Sequence, residues 1–154
     1  MSAEHISAFR TIIEDGFSKG NMAALDAIVA PEMVEHQYGA PQGLAGLKVM
    51  IRHLRQGIPD LQVTIEDTAD EGDKVWARLK GRGTNSGSFM GRPPTGKQIE
   101  IDIIDICRFE SGKMMEHWGV PDRFALTEQL GLLHQPEPAV AGSEHSRGDT
   151  ATGR

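Results

Sequence analysis

The sequence predicts an α+β fold, with helices packed on one face of an antiparallel sheet. Two observations carry this reading. Apolar residues keep helical spacing through the first part of the chain, and the period then changes to 2 before one short helical signal returns near the end. Helices and strands segregated along a chain, rather than alternating, mark the α+β class. At 154 residues, one domain with a real core is expected.

Ile6, Phe9, Ile12, Ile13 and Phe17 give the first helix, with Gly20 as its stop. Asn21 caps a second, short helix carrying Leu25, Ile28 and Val29, which Pro31 ends. Val34 to Tyr38 is a short extended piece. After Pro41, the spacing Leu44, Leu47, Met50, Ile51, Leu54 gives a third amphipathic helix, stopped near Gly57 and Pro59. Leu61, Val63 and Ile65 alternate, Asp70 to Asp73 turn, and Val75, Ala77 and Leu79 alternate again. A Gly/Pro-rich excursion over 85–96 precedes a strong hairpin, and Pro121-Asp122 opens a last helix through Gln129. From Gln135 the chain turns to Pro, Gly, Ser, Ala and charge without apolar period. The domain therefore spans 1–134, and 135–154 is expected to be a disordered tail.

Composition narrows the function classes. A formal charge of -6, with no run of Lys or Arg, argues against nucleic acid or an anionic membrane as partner. The single cysteine, Cys107, excludes an internal disulfide and falls among apolar residues, so it reads as a core thiol. No apolar span is long enough for a membrane helix and no secretory start is seen, so a cytoplasmic protein is expected. Gly91 to Lys97 nearly matches a phosphate loop, but Gln98 replaces the hydroxyl residue, a strand follows, and Pro93 and Pro94 lack amide donors. Nucleotide binding is rejected. His5, His53, His134 and His145 are scattered without metal-ligand spacing, and no metal is expected.

The hairpin over 97–119 is the most informative stretch. Ile99, Ile101, Ile103, Asp105, Cys107 and Phe109 share one strand face, apolar except for Asp105. A three-residue loop, Glu110-Ser111-Gly112, would pair Phe109 with Lys113, Cys107 with Met115, Asp105 with His117 and Ile103 with Gly119. A two-residue turn would instead set Asp105 against Trp118. A carboxylate on an apolar face is costly unless paired. Asp105 with His117 is therefore either a proton-moving pair or a structural hydrogen bond lining a pocket that only binds.

The segment GSFMGRPPTGKQIEIDIIDICRFESGKMMEHWGVPD, followed by EQLG, resembles the SnoaL-like polyketide cyclases of the nuclear transport factor 2-like superfamily. The matching elements are Gly91 to Lys97, Arg108-Phe109, Gly112-Lys113, Glu116-His117-Trp118, Asp122 and Gln129-Leu130-Gly131, and the resemblance runs from about Ile6 to Leu133. It implies a cone-shaped barrel of strongly curved antiparallel sheet, with three N-terminal helices and a closing C-terminal helix around a deep apolar pocket. It also implies a homodimer that works without metal or organic cofactor. His117 and Asp122 match family residues, whereas Gly119 stands at the family's catalytic aspartate, Asp105 at a pocket histidine, Ile103 at a pocket glutamine and Glu35 at an asparagine.

The expected activity is a cofactor-independent cyclisation or isomerisation of a small hydrophobic polyketide-like carbonyl substrate in secondary metabolism. His117, held by Asp105, would move a proton, and His36 or Tyr38 would stabilise an oxyanion. Phe17, Glu35, Tyr38, Met50, Ile103, Met115, Trp118 and Asp122 are the candidate substrate contacts. Glu35 and His36 read equally as a solvent-facing loop pair, and helix capping alone accounts for Asp122. A non-catalytic binding protein is the alternative from another class. Epoxide hydrolysis or dehydration ranks lower, because its paired carboxylates could only be Asp102 and Asp105, on opposite faces of one strand.

Overall fold

The structure is a computed structural model and describes residues 2–133. The tail expected over 135–154 lies outside the described residues. Helix α1 (Ser2–Thr11) widens into π geometry over Ile12–Ser18, and Gly20, at φ +71°, takes the left-handed turn that ends it. Asn21 Oδ1 accepts the Ala24 amide at 3.3 Å, the expected cap, but α2 (Ala23–Asp26) is a single turn. Val29 and Pro31, read as the end of that helix, belong instead to strand β1 (Val29–Glu35). The strand wins because Val29, Met33 and Glu35 bury one face against the sheet. Pro31 is tolerated because β1 is an edge strand whose register slips between Val29 and Val34.

Helix α3 (Gly43–Gly57) is followed by β2 (Gln62–Glu71), β3 (Lys74–Thr84), β4 (Gln98–Glu110), β5 (Lys113–Pro121) and α4 (Arg123–Gln129). The five strands lie in the order β1-β5-β4-β3-β2, curled but not closed. All neighbours are antiparallel except β1 and β5, which run parallel and make the sheet mixed. Phe9, Ile13, Leu25, Leu47 and Ile51 from the helices meet Val75, Leu79, Cys107, Phe109 and Met114 from the strands in one core. The predicted apolar face of β4 is the inner one, with Ile99, Ile101, Asp105, Cys107 and Phe109 buried. The excursion after β3 is tied down by buried Asn85, whose amide donates to Gly57 O and Gly87 O and accepts from Thr95.

The β4–β5 hairpin departs from the expected register. Glu110 pairs with Lys113, so the loop has two residues, Ser111 (φ +51°) and Gly112 (φ +76°), both left-handed as in a type I′ turn. That turn alone would set Asp105 against Trp118. A bulge then restores the face: Phe109 pairs with Met114 but Arg108 pairs with Glu116, leaving Met115 as the extra residue. Asp105 consequently faces Gly119, and Cys107 faces His117. The expected Asp105–His117 cross-strand pairing is corrected to a diagonal one on the same inner face.

Candidate active site

Three neighbouring strands bring three ionisable side chains together. Parallel register places Glu35 of β1 beside His117 of β5, and the bulged hairpin places Asp105 of β4 diagonally across from it. All three are buried. His117 Nδ1 meets Glu35 Oε1 and Oε2 at 2.9 and 2.8 Å, and its Nε2 lies 3.3 Å from Asp105 Oδ1. Burial by itself would lower the His117 pKa, but Asp105 and then Glu35 outweigh it and raise the pKa to about 10. The imidazole is therefore an imidazolium at neutral pH, with Nδ1 hydrogen-bonded to Glu35 and Nε2 ion-paired with Asp105.

The two carboxylates differ in what else they touch. Glu35 Oε1 also accepts the Gln37 amide at 2.8 Å, and Gln42 brackets the Glu35 backbone, accepting from its N–H and donating to its carbonyl. Glu35 is thus fixed behind the imidazolium. Asp105 makes no further hydrogen bond among the described residues and lines a cavity of about 420 Å³, within the range of small-molecule sites. His117 lines the same cavity, whose wall is otherwise mostly aliphatic and aromatic. Val49, His53, Met90 and Arg123 line it while exposed to solvent, and so mark its open end.

Of the expected contact residues, Phe17, Met50 and Ile103 also line the cavity. The others lie elsewhere. His36 and Trp118 are on the outer face of the sheet, their rings stacked at 4.6 Å, with His36 Nε2 2.9 Å from Glu116 Oε2. Alternation along β1 and β5 sends them outward when Glu35 and His117 point inward. Tyr38 is 87% exposed; its carbonyl, not its ring, is engaged, by Arg123 Nη2 at 2.7 Å. Met115 is the bulge residue, and Asp122 caps α4 by accepting the Ala125 amide at 2.9 Å. Glu35 touches the imidazolium rather than the cavity.

Sequence reasoning missed Gln37, His53 and Arg123, all of which line the cavity. Two carried a usable signal: Gln37 continues the inward parity of Met33 and Glu35, and His53 lies one turn beyond Met50 on α3. Arg123 carried none.

Against known proteins, the family model described as SnoaL-like polyketide cyclase matches residues 7–130. The chain belongs to this family. Solved structures agree. TsrD from Streptomyces laurentii is 29% identical, with a TM-score of 0.78 over 85% of this chain and 97% of its own. IdmH, a candidate polyketide cyclase from Streptomyces antibioticus, is 29% identical with a TM-score of 0.74, covering 82% of this chain and 98% of its own. A candidate polyketide cyclase from Bacillus cereus ATCC 10987 is 31% identical with a TM-score of 0.74, covering 85% and 83%. No curated protein matches. Family and neighbours together support a cyclase or isomerase enzyme. No helix among the described residues is long and apolar enough to cross a membrane.

Proposed function

We propose that this family member cyclises or isomerises a small, largely apolar, polyketide-like carbonyl compound of secondary metabolism, with Asp105 as the group that moves the proton. The observation that carries the reading is the division of labour around His117. Nδ1 of His117 is hydrogen-bonded to Glu35 and Nε2 is ion-paired with Asp105, so both ring nitrogens are occupied by carboxylates. Asp105 retains acceptor capacity on the cavity side. The Asp105 carboxylate takes a proton from a carbon next to a carbonyl, and the electron pair moves onto the carbonyl oxygen as an enolate. In a cyclisation the enolate carbon attacks a second carbonyl of the same molecule, and Asp105 returns the proton to the new alkoxide. The fixed charge of His117, which itself lines the cavity, stabilises the negative charge that builds up on the carbonyl oxygen. The apolar wall holds the chain folded, which by itself contributes to rate.

Glu35 does not line the cavity, so a ligand there meets one carboxylate, not the flanking pair that epoxide hydrolysis calls for. His36 and Tyr38, on the outer face and in solvent, give way as oxyanion donors. The outer face supports a homodimer: Trp76, Ile104 and Val120 are 43%, 45% and 69% exposed on adjacent strands.

Hydrogen–deuterium exchange at the α-carbons of benzylacetone, followed by proton NMR in heavy water, tests the reading. The wild-type chain is expected to accelerate exchange, and Asp105→Asn to lower the rate by about a hundredfold, the lower end of a general base's contribution. An Asp105→Asn protein that exchanges as fast as wild type would sink the proposal. Binding of benzylacetone without exchange would move the protein to the carrier class.

A further inference from the structure

A proton transfer next to a carbonyl needs a donor for the oxygen that becomes negative, and neither His36 nor Tyr38 reaches the cavity. Among the described residues, Gln37 is a neutral donor on the inner face that has no role yet. It continues the inward parity of β1, is half-buried and lines the cavity with Asp105 and His117. Its backbone N–H is anchored on Glu35 Oε1 at 2.8 Å, so its position is tied to the charged cluster. Among the described residues, the only partner of its side-chain amide nitrogen is Met50 Sδ at 3.9 Å. A thioether is a weak acceptor, and the carboxamide carries two N–H bonds. Its donor capacity is largely unspent.

Gly119 supplies the second, independent observation. Its backbone is not left-handed, so conformation does not demand glycine there. Space does. A Cβ on Gly119 would overlap Gln37 Oε1 and sit 2.8 Å from His117 Cε1 and 3.1 Å from Asp105 Oδ1. The glycine directly across from Asp105 is the opening that the Gln37 carboxamide fills.

We propose that Gln37 is the residue that orients the substrate, donating from its carboxamide to the substrate carbonyl oxygen while Asp105 faces the neighbouring carbon. The ligand class is accordingly a ketone with an enolisable α-carbon on an apolar body. This deepens the reading of Asp105 as the proton-moving group and rests on it. Gly119 and Gln37 act as a unit: the missing side chain on β5 makes room for the amide delivered from β1.

The test uses two probes of similar shape, benzylacetone and butylbenzene, which lacks the carbonyl, titrated into the full chain by NMR. Gln37→Leu is expected to weaken benzylacetone about tenfold, the order of one hydrogen bond, and to leave butylbenzene within about twofold. Gly119→Ala, which displaces the carboxamide without removing it, should show the same selectivity. Butylbenzene reports whether each variant still folds its cavity. Equal losses for both probes, loss of neither, or a wild-type chain that fails to bind benzylacetone overturns the proposal. The outcome is separable from that of Asp105: exchange that survives Asp105→Asn removes the proton-transfer reading, while a carbonyl-selective loss in Gln37→Leu still assigns Gln37 its donor role.

Discussion

The sheet carries a histidine–carboxylate cluster on each face, built from the same two dipeptides. Glu35-His36 on β1 and Glu116-His117 on β5 run side by side in parallel, offset by one residue, so that Glu35 lies beside His117 and Val34 beside Glu116. The dipeptides pair crosswise. Glu35 and His117 meet on the inner face, where Asp105 joins them and all three are buried. His36 and Glu116 meet on the outer face, where Glu116 also accepts Arg108 Nε at 2.7 Å. The hydrogen bond from His36, and then that from Arg108, holds the Glu116 carboxyl below its usual range. Residue types and distances are alike, and the surroundings decide what each cluster can do. An outer pair in water is screened and worth little. The inner cluster has two acids for one cation, and all three groups are buried.

The largest break in this symmetry is expected from removing each histidine in turn. His117→Leu leaves Glu35 and Asp105 buried without their cation, and breaking a buried pair in this way costs about 3–5 kcal/mol. His36→Leu removes an exposed partner and is expected to stay close to wild type. Urea unfolding of the two variants measures the difference directly. Equal losses would mean that the inner cluster is no more dependent on its cation than the outer one.

A smaller and reversible separation comes from pH. The His117 pKa is raised from 6.5 to about 10 in the folded state, so the folded chain keeps a proton that the unfolded chain releases. The associated stabilisation is complete below about pH 6.5, declines as pH rises above it, and is gone once pH has passed about 10. Unfolding midpoints should therefore fall across that window, and Asp105→Asn should flatten the slope. In an NMR titration the His117 ring signals are expected to hold still to about pH 9 in the wild type and to move at lower pH in Asp105→Asn. A His117 midpoint near 6.5 in the wild type would remove the imidazolium from the site.

How much of this was legible depends on whether a signal was local. The inner face of β4, the lone Asp105 on it, the cap at Asn21 and the third helix followed from period and turn chemistry. The Asp105–His117 contact emerged from a loop of the wrong length, because a two-residue turn and the Met115 bulge together carry His117 to the side a three-residue loop would have chosen. The bulge shifts the inward parity of β5 between Met114 and His117, and the adjacent methionines Met114 and Met115 mask that shift in the sequence. The decisive miss was the first part of β1, Val29 to Met33, and its parallel pairing with β5. Pro31 reads as a helix stop, and an edge strand pairing in parallel with a strand about eighty residues away leaves no local trace. Both Glu-His dipeptides were in view, but without the parallel register His36 looked as suitable as Glu35 for the pocket. Gln37 shares the parity of Glu35 two residues earlier, a signal that becomes decisive only with the register that makes that side the inner one.

The smallest effect on the inner face is expected from a change confined to the outer one. Ile104 pairs with Arg78 on one side and Val120 on the other, and Trp76 and Trp118 flank Ile106 one step along. This apolar strip, rather than the His36–Glu116 pair, is what a second copy of the chain would cover. Ile104→Glu sets a charge in its centre at little cost to the monomer, because the side chain is already 45% exposed. Analytical ultracentrifugation should find the wild type as a dimer and Ile104→Glu shifted to monomer, with exchange of benzylacetone within about twofold of wild type, as for a surface change. A wild-type monomer would remove the dimer proposal. If exchange falls in step with dissociation, the two faces do not act separately, and the cavity depends on the partner for its shape.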